Sequence, residues 1–303
     1  MKAGMFVKTK ENESGLLFRR SGKGRVLFGI VFIILFVYSL SLIFPFFWLL
    51  LNSLKTGAEY SFHEASGKPF AFPAAFQFSN FIKAFDELSY NEITFFGMIF
   101  NSLWYTAVVV FEGVFLSAVT GYCIAKYKFK LRGALYGIAI FSMTIPIVGN
   151  LASSYKIYSF LGILDTPLQP IITCAGGFGF NFLIMYGFFS NISWSYAEAA
   201  MIDGAGDFKA FFKIMLPQAR APMLVLAVLA SISCWNDYTS IILFMPSYMT
   251  LSAGLYYVES EMRRGFMPIY YSALIISIVP VLVLYGLFSD KIMKNMTLGG
   301  LKG

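Results

Sequence analysis

Apolar residues run through this chain in long, nearly charge-free stretches, separated by short charged clusters. A helix that crosses a bilayer needs roughly 20 such residues, because the hydrocarbon core is about 30 Å thick and each residue rises 1.5 Å. Six stretches qualify: 26–51, with Pro45 inside it; 96–125, interrupted only by Glu112; 133–152; 167–189; 221–244, containing Asp237; and 265–289. They predict an all-α integral membrane protein with six transmembrane helices. Barrel strands would be near ten residues and strictly alternating, whereas these runs are longer and apolar on every side. The first run is too long for a signal-peptide core and lacks a small-residue cleavage site after it, so it reads as a permanent span.

Composition agrees. Of 303 residues, 58% are hydrophobic and 13% charged, about half the charged share of a soluble domain. Disorder, which needs the opposite balance, is excluded. Three cysteines, Cys123, Cys174 and Cys234, are too few for a disulfide framework.

The net charge of +7 could signal nucleic acid, but its distribution follows topology instead. Lys and Arg concentrate on cytoplasmic segments. Seventeen of the 23 basic residues fall in the N-terminal segment, the second and fourth connections and the C-terminal tail. Only Lys55, Lys68, Lys83, Lys156, Arg263 and Arg264 fall on the opposite side. Both termini are therefore expected in the cytoplasm, and nucleic-acid binding loses its support. The expected organisation is a cytoplasmic segment 1–25, a membrane domain 26–290 with an external loop at about 55–92, and a cytoplasmic tail 291–303.

The fourth connection, about 191–220, is too long to be structureless in a compact domain. Ser195 followed by Glu198 reads as a capping box, and Ala197, Ala199 and Ala200 favour helix. Gly204 and Gly206 end or bend that short helix, and Asp207 is placed to cap a second one. There Phe208, Phe211, Phe212 and Met215 fall at helical spacing and form one apolar stripe, with Lys209 and Lys213 on another face. Pro217 and Pro222 are expected to break the pattern before the fifth span. A cytoplasmic helix–turn–helix with an unpartnered apolar stripe results. It suits either a protein cleft or the lipid headgroups.

Glu198-Ala199-Ala200, Gly204 after three more residues, then Ile214 and Leu216-Pro217 resemble the EAA motif of permease subunits in binding-protein-dependent ABC importers. Pro45 to Lys55, Leu161 to Pro167, Trp235-Asn236-Asp237 and Leu298 to Gly303 are similar to the carbohydrate branch, and to its second, maltose-type permease subunit in particular. The resemblance implies a type I ABC importer permease fold in the cell membrane. It implies a second homologous permease, two ATPase subunits that carry ATP and Mg, and an extracytoplasmic substrate-binding protein that delivers a sugar. It also implies that Glu198, Ala199, Ala200, Asp203, Gly204, Asp207, Phe208, Phe211, Phe212, Ile214, Leu216 and Pro217 couple this chain to the ATPases. An importer of glycerol-phosphate or a peptide is the alternative.

Charges within a span usually face the bundle interior or water, because an acidic group at the bilayer centre costs roughly 2.5–3.5 kcal/mol. Glu112 and Asp237 are thus candidates for the substrate path. Trp235 and Asn236 add a flat aromatic face and hydrogen-bonding groups suited to a sugar, and Asn101 and Asn181 are weaker candidates. A secondary transporter would show inverted repeats and more intramembrane charges. A membrane enzyme would need a cluster of titratable groups, yet His63 is the only histidine. No Walker A, GxSxG or HExxH pattern occurs, so the chain is expected to carry no catalytic residue, metal or cofactor of its own.

Overall fold

The computed structural model describes residues 22–144, 149–173, 177–261 and 266–298. The basic residues Lys2 to Arg20, Pro146, Cys174, Arg263, Arg264 and the tail from Gly299 lie outside the described residues.

The chain opens with α1 (Gly22–Ser53), continuous through Pro45. The stretch that follows is expected to be a loop, but it contains α2 (Gly57–Ala65), α3 (Ser79–Glu87) and a two-residue antiparallel hairpin, β1 (Ser89–Tyr90) with β2 (Ile93–Thr94). Thr56 caps α2 by accepting the Glu59 N–H at 3.2 Å. Lys55 is fully buried; its ammonium donates to Asn52 Oδ1 at 2.8 Å, and Asn80 donates to the carbonyls of Ser53 and Lys55 at 2.7 and 2.8 Å. A buried amine must be hydrogen-bonded to be tolerated. These bonds fasten the segment after α1 to the end of that helix, an organisation that hydropathy cannot reveal.

The central span, α4 (Phe95–Lys126), packs against α8 (Phe180–Asn191) and α11 (Arg220–Trp235). Its contact with α8 depends on Gly121: a Cβ there would lie 2.9 Å from the Tyr186 backbone nitrogen and 3.0 Å from Met185. The last span, α14 (Met267–Leu298), runs along α1 and α11.

Among the described residues three helices are long and apolar enough to cross a membrane, at 24–53, 95–126 and 267–289, and a fourth candidate is the pair 207–218 and 220–235, bent by 71°. The expected third and fourth spans are not single helices. In the third, α5 (Arg132–Thr144) and α6 (Asn150–Phe160) are separate helices, with Gly149 at φ +81° before the second. The fourth divides into α7 (Leu168–Thr173) and α8, with Gly177 and Gly179 at φ +58° and +123° between them. These positive φ values suit glycine and no other residue well, so the Gly-rich run is the physical cause of the break. The fifth span also breaks. It stops at Trp235 and resumes as α12 (Thr239–Phe244), so Asp237 lies in the interruption and not within a helix.

Candidate functional site

The fourth connection folds as two short helices on a buried base. The first, α9 (Ser195–Ile202), does not use the expected capping box: Ser195 lies inside the helix and no side chain caps its start. Instead the Ser193 hydroxyl accepts the Ser195 N–H at 3.3 Å. Its other end is a Schellman turn. Ala205 N–H donates to Ala200 C=O at 2.9 Å and Gly204 N–H to Met201 C=O at 3.0 Å, with Gly204 at φ +84°. That geometry needs a left-handed residue, and glycine adopts it without steric cost.

The second helix, α10 (207–218), begins at Asp207 and contains a π-helical turn over Phe211–Met215. Pro217 has no N–H to donate one turn back, and the Leu216 N–H reaches the Phe211 carbonyl, five residues away. Asp207 is not the cap; the N-cap is Gly206, with no side-chain bond. The Asp207 carboxylate instead accepts the Tyr127 hydroxyl at 2.8 Å. Pro222 does not break the chain either. It sits in the first turn of α11, where a missing N–H is harmless, and the bend falls at Ala219.

The apolar stripe splits in two. Phe211 and Met215 are buried against α4 and α8, in a cluster with Tyr122, Met185, Phe189, Ala197 and Ala210. Tyr122 stacks obliquely on Phe211 with ring centroids 4.8 Å apart, and Tyr127 meets Trp194 edge-on at 5.8 Å. Lys126 donates to the Ile192 carbonyl. Phe208, in contrast, is 83% exposed, and Ile202 is 85% exposed. Sequence spacing could not separate these roles, because the π turn shifts the register between Phe208 and Met215. Ile202 also escaped it, since a single apolar residue at a helix end carries no periodic signal.

Two apolar side chains therefore project from either side of the Gly204 turn, and Glu198, Asp203 and Gly204 are exposed beside them. Ala199 is exposed and Ala200 half-buried; Ile214, Leu216 and Pro217 are half-buried on the side toward α11. Burial holds the Tyr127 phenol above its ordinary range, with Tyr122 and Asp207 acting in the same direction. It therefore remains a hydrogen-bond donor at any physiological pH.

The expected path residues are scattered. The Asn101 amide donates to the Met249 carbonyl at 3.0 Å and accepts from Trp104 Nε1 at 3.2 Å. Trp235 is buried, and its Nε1 donates to the Ser277 carbonyl at 3.0 Å. Asn236 donates back to Ile232 at 2.8 Å, and Asp237 accepts the Ser240 N–H at 3.0 Å, capping α12. Asn181 is half-buried in the first turn of α8. Glu112 is half-buried at mid-length in α4, and its Oε2 is enclosed with no hydrogen-bond partner. Two adjoining cavities of about 400 Å³ lie along α4 and α11 and share Thr106 and Ser231. Their remaining walls are apolar. Among the described residues no group of His, Cys, Asp or Glu could hold a metal.

Long apolar helices thus carry a turn whose Ile202 and Phe208 project from a buried base. Similarity to known proteins gives the class. Residues 113–294 match the family described as binding-protein-dependent transport system inner membrane component. The chain is 26% identical to the diacetylchitobiose uptake system permease protein NgcG of Streptomyces coelicolor, over 88% of this chain and 86% of that one. It is 28% identical to the sulfoquinovosyl glycerol transport system permease protein SmoH of Agrobacterium fabrum, over 86% and 89%. Its fold resembles a chain in the crystal structure of a bacterial ABC transporter that imports the acidic polysaccharide alginate, with a TM-score of 0.76, 22% identity, and 89% and 98% of the two chains covered. This chain belongs to the binding-protein-dependent transport system inner membrane component family. It is the multi-pass permease component of an ABC transporter, and ATP hydrolysis belongs to separate subunits.

Proposed function

We propose that this chain is one of two permease subunits that carry a sugar or oligosaccharide inward by alternating access. Two ATPase subunits drive it through the 195–218 element, and an external binding protein delivers the substrate. The projecting turn carries this reading. Ile202 and Phe208 are almost fully exposed on a base whose Ala197, Ala210 and Met215 are fully buried. Apolar knobs on a rigid mount suit insertion into a protein cleft, and the exposed Glu198 and Asp203 suit basic groups at its rim. Because the mount is packed against α4 and α8, a push on the knobs moves those helices together.

Six crossings with both termini in the cytoplasm agree with the basic-residue distribution. In this reading the split segments 132–160 and 168–191 supply the third and fourth crossings, and α11 with α12 the fifth. The sugar assignment draws support from relatives whose names specify saccharide cargo.

Reconstitution tests the proposal. Proteoliposomes holding this chain, its companion permease and the ATPase should accumulate labelled saccharide only with ATP and the loaded external protein. Uptake by this chain alone without ATP would contradict it.

A further inference from the structure

We infer that Asp165 is a positioning residue. By clamping the 161–167 connection to the 244–248 turn, it makes both one body with α4, so that motion of the 195–218 element reaches them. The inference rests on the coupling reading proposed above and adds where the motion arrives.

Asp165 reaches a partner 82 positions away. Its carboxylate accepts the Ser247 N–H at 2.8 Å through Oδ1 and the Ser247 hydroxyl at 2.6 Å through Oδ2. Its own N–H donates to the Phe244 carbonyl at 2.7 Å. One residue thus fastens the connection between α6 and α7 to the turn Pro246–Tyr248 that follows α12. Asp165 sits at φ +56°, a left-handed conformation that costs free energy for any residue with a side chain. Such strain persists only where the surroundings over-determine it, and here three hydrogen bonds do so. Beneath the clamp, Tyr158 of α6 meets Phe244 edge-on with ring centroids 5.0 Å apart, and Phe244 and Met245 are buried in one cluster with Tyr105 of α4. Apolar packing alone would let these parts slide, whereas hydrogen bonds are directional and hold the register.

The clamped turn is tied to α4 in its own right. The Asn101 amide donates to the Met249 carbonyl at 3.0 Å, and the buried Ser102 hydroxyl accepts the N–H of Leu251, the first residue of α13 (Leu251–Glu261), at 2.7 Å. Gly254 lets α13 close onto Met98 of α4, where a Cβ would approach the sulfur to 2.3 Å. From there α4 runs unbroken and without proline to Lys126, a rise of about 38 Å from Asn101. Its other end holds the 195–218 element through Tyr122 on Phe211 and Tyr127 on Asp207. The contacts are therefore contiguous from Asp207 through α4 to Asp165. In the six-crossing reading the Asn101 end of α4 and both clamped connections face outward. Displacement of the 195–218 element then shifts the two outer connections together. By the reciprocity of linkage, a protein that presses on them from outside shifts the 195–218 element and the ATPase behind it.

The test uses the complete transporter in nanodiscs. ATP hydrolysis is measured with and without the external binding protein loaded with diacetylchitobiose or with sulfoquinovosyl glycerol. Asp165→Gly keeps the left-handed backbone and loses both carboxylate bonds. Its stimulation by the loaded protein should fall on the order of fivefold, with hydrolysis in the absence of that protein unchanged. Ser247→Ala should lose less, and Asp165→Asn, which keeps an acceptor oxygen, should retain most of the stimulation. In the double variant Asp165→Cys with Ser247→Cys, joining the thiols with a short bifunctional reagent should restore the stimulation that the unjoined form lacks. Full stimulation in both Asp165→Gly and Ser247→Ala overturns the clamp. Loss of uptake on joining the thiols overturns it too, since the two connections would then have to part during the cycle. Equal loss of basal and stimulated hydrolysis in every variant also overturns it, because Asp165 would then serve assembly alone. If the wild-type complex responds to neither loaded protein, the coupling reading fails and the role of the clamp falls with it.

Discussion

Tyr127 donates its hydroxyl hydrogen to the Asp207 carboxylate across 2.8 Å, joining the C-terminal end of α4 to the first residue of α10. The acidic group that the family resemblance assigns to a contact with the ATPase therefore bonds its own chain. In the coupling proposed above, Asp207 is a strut that holds the 195–218 element on α4.

Removing the strut should loosen coupling more than folding. A hydrogen bond to a charged group is worth roughly 1.5–3 kcal/mol when buried, and Asp207 is exposed, so about 1 kcal/mol is the appropriate scale. Tyr127→Phe and Asp207→Asn complexes should assemble normally yet hydrolyse more ATP per sugar imported. Parallel assays of phosphate release and uptake measure that ratio. An unchanged ratio in both variants removes the strut from the mechanism.

The Gly204 turn should tolerate no side chain. At φ +84° an ordinary residue pays about 1–2 kcal/mol of strain, and its side chain would project from the tip of the turn into open space. Gly204→Asp and Glu198→Lys should abolish uptake while membrane insertion, read by immunoblot of the membrane fraction, stays at wild-type level. Full uptake in either variant would count against docking through this turn.

The helical character of the chain and the start of each apolar run are legible in the sequence, because hydropathy and length carry that information directly. The helix–turn–helix is legible as well, through its alanines and Gly204. What escapes is continuity and facing. The breaks at 177–179 and 236–238 sit inside largely apolar runs, so hydropathy passes over them, although the glycines near 177 mark the first. The π turn at Phe211–Met215 shifts the register between Phe208 and Met215, which an ideal 3.6-residue period cannot anticipate. The buried Lys55 looks like an ordinary loop cation until Asn52 and Asn80 are seen to enclose it.

Glu112 presents an opposition between stability and function. Its enclosed Oε2 has no partner among the described residues, and an unpaired acid in the membrane costs roughly 2.5–3.5 kcal/mol. Glu112→Leu should raise the yield and the melting temperature of the purified complex. If the side chain serves the path, the same variant should lose most uptake, and Glu112→Gln should lose less. A drop in yield with uptake intact would show that the carboxylate has a structural partner in the assembled complex.

Lys55 gives the external segment a dependence on pH. Burial lowers its pKa, and Glu59 partly offsets this. The unfolded chain holds that proton up to about the ordinary value of 10.5, while the folded chain releases it sooner. The resulting cost is present in full below the folded value and disappears as pH rises toward 10.5, so stability from this group increases through that window. Limited proteolysis of residues 55–94 should slow as pH is raised through it, and Lys55→Met should flatten the trend.

Cysteine cross-linking from the projecting turn tests the central claim most directly. Ile202→Cys and Phe208→Cys, placed in the assembled complex and treated with a short bifunctional reagent, should each trap the ATPase subunit, with yields that change when ATP is added. Failure to trap the ATPase at either position, together with quenching of spin labels there by lipid-soluble oxygen, would place the turn against the bilayer and contradict coupling through it.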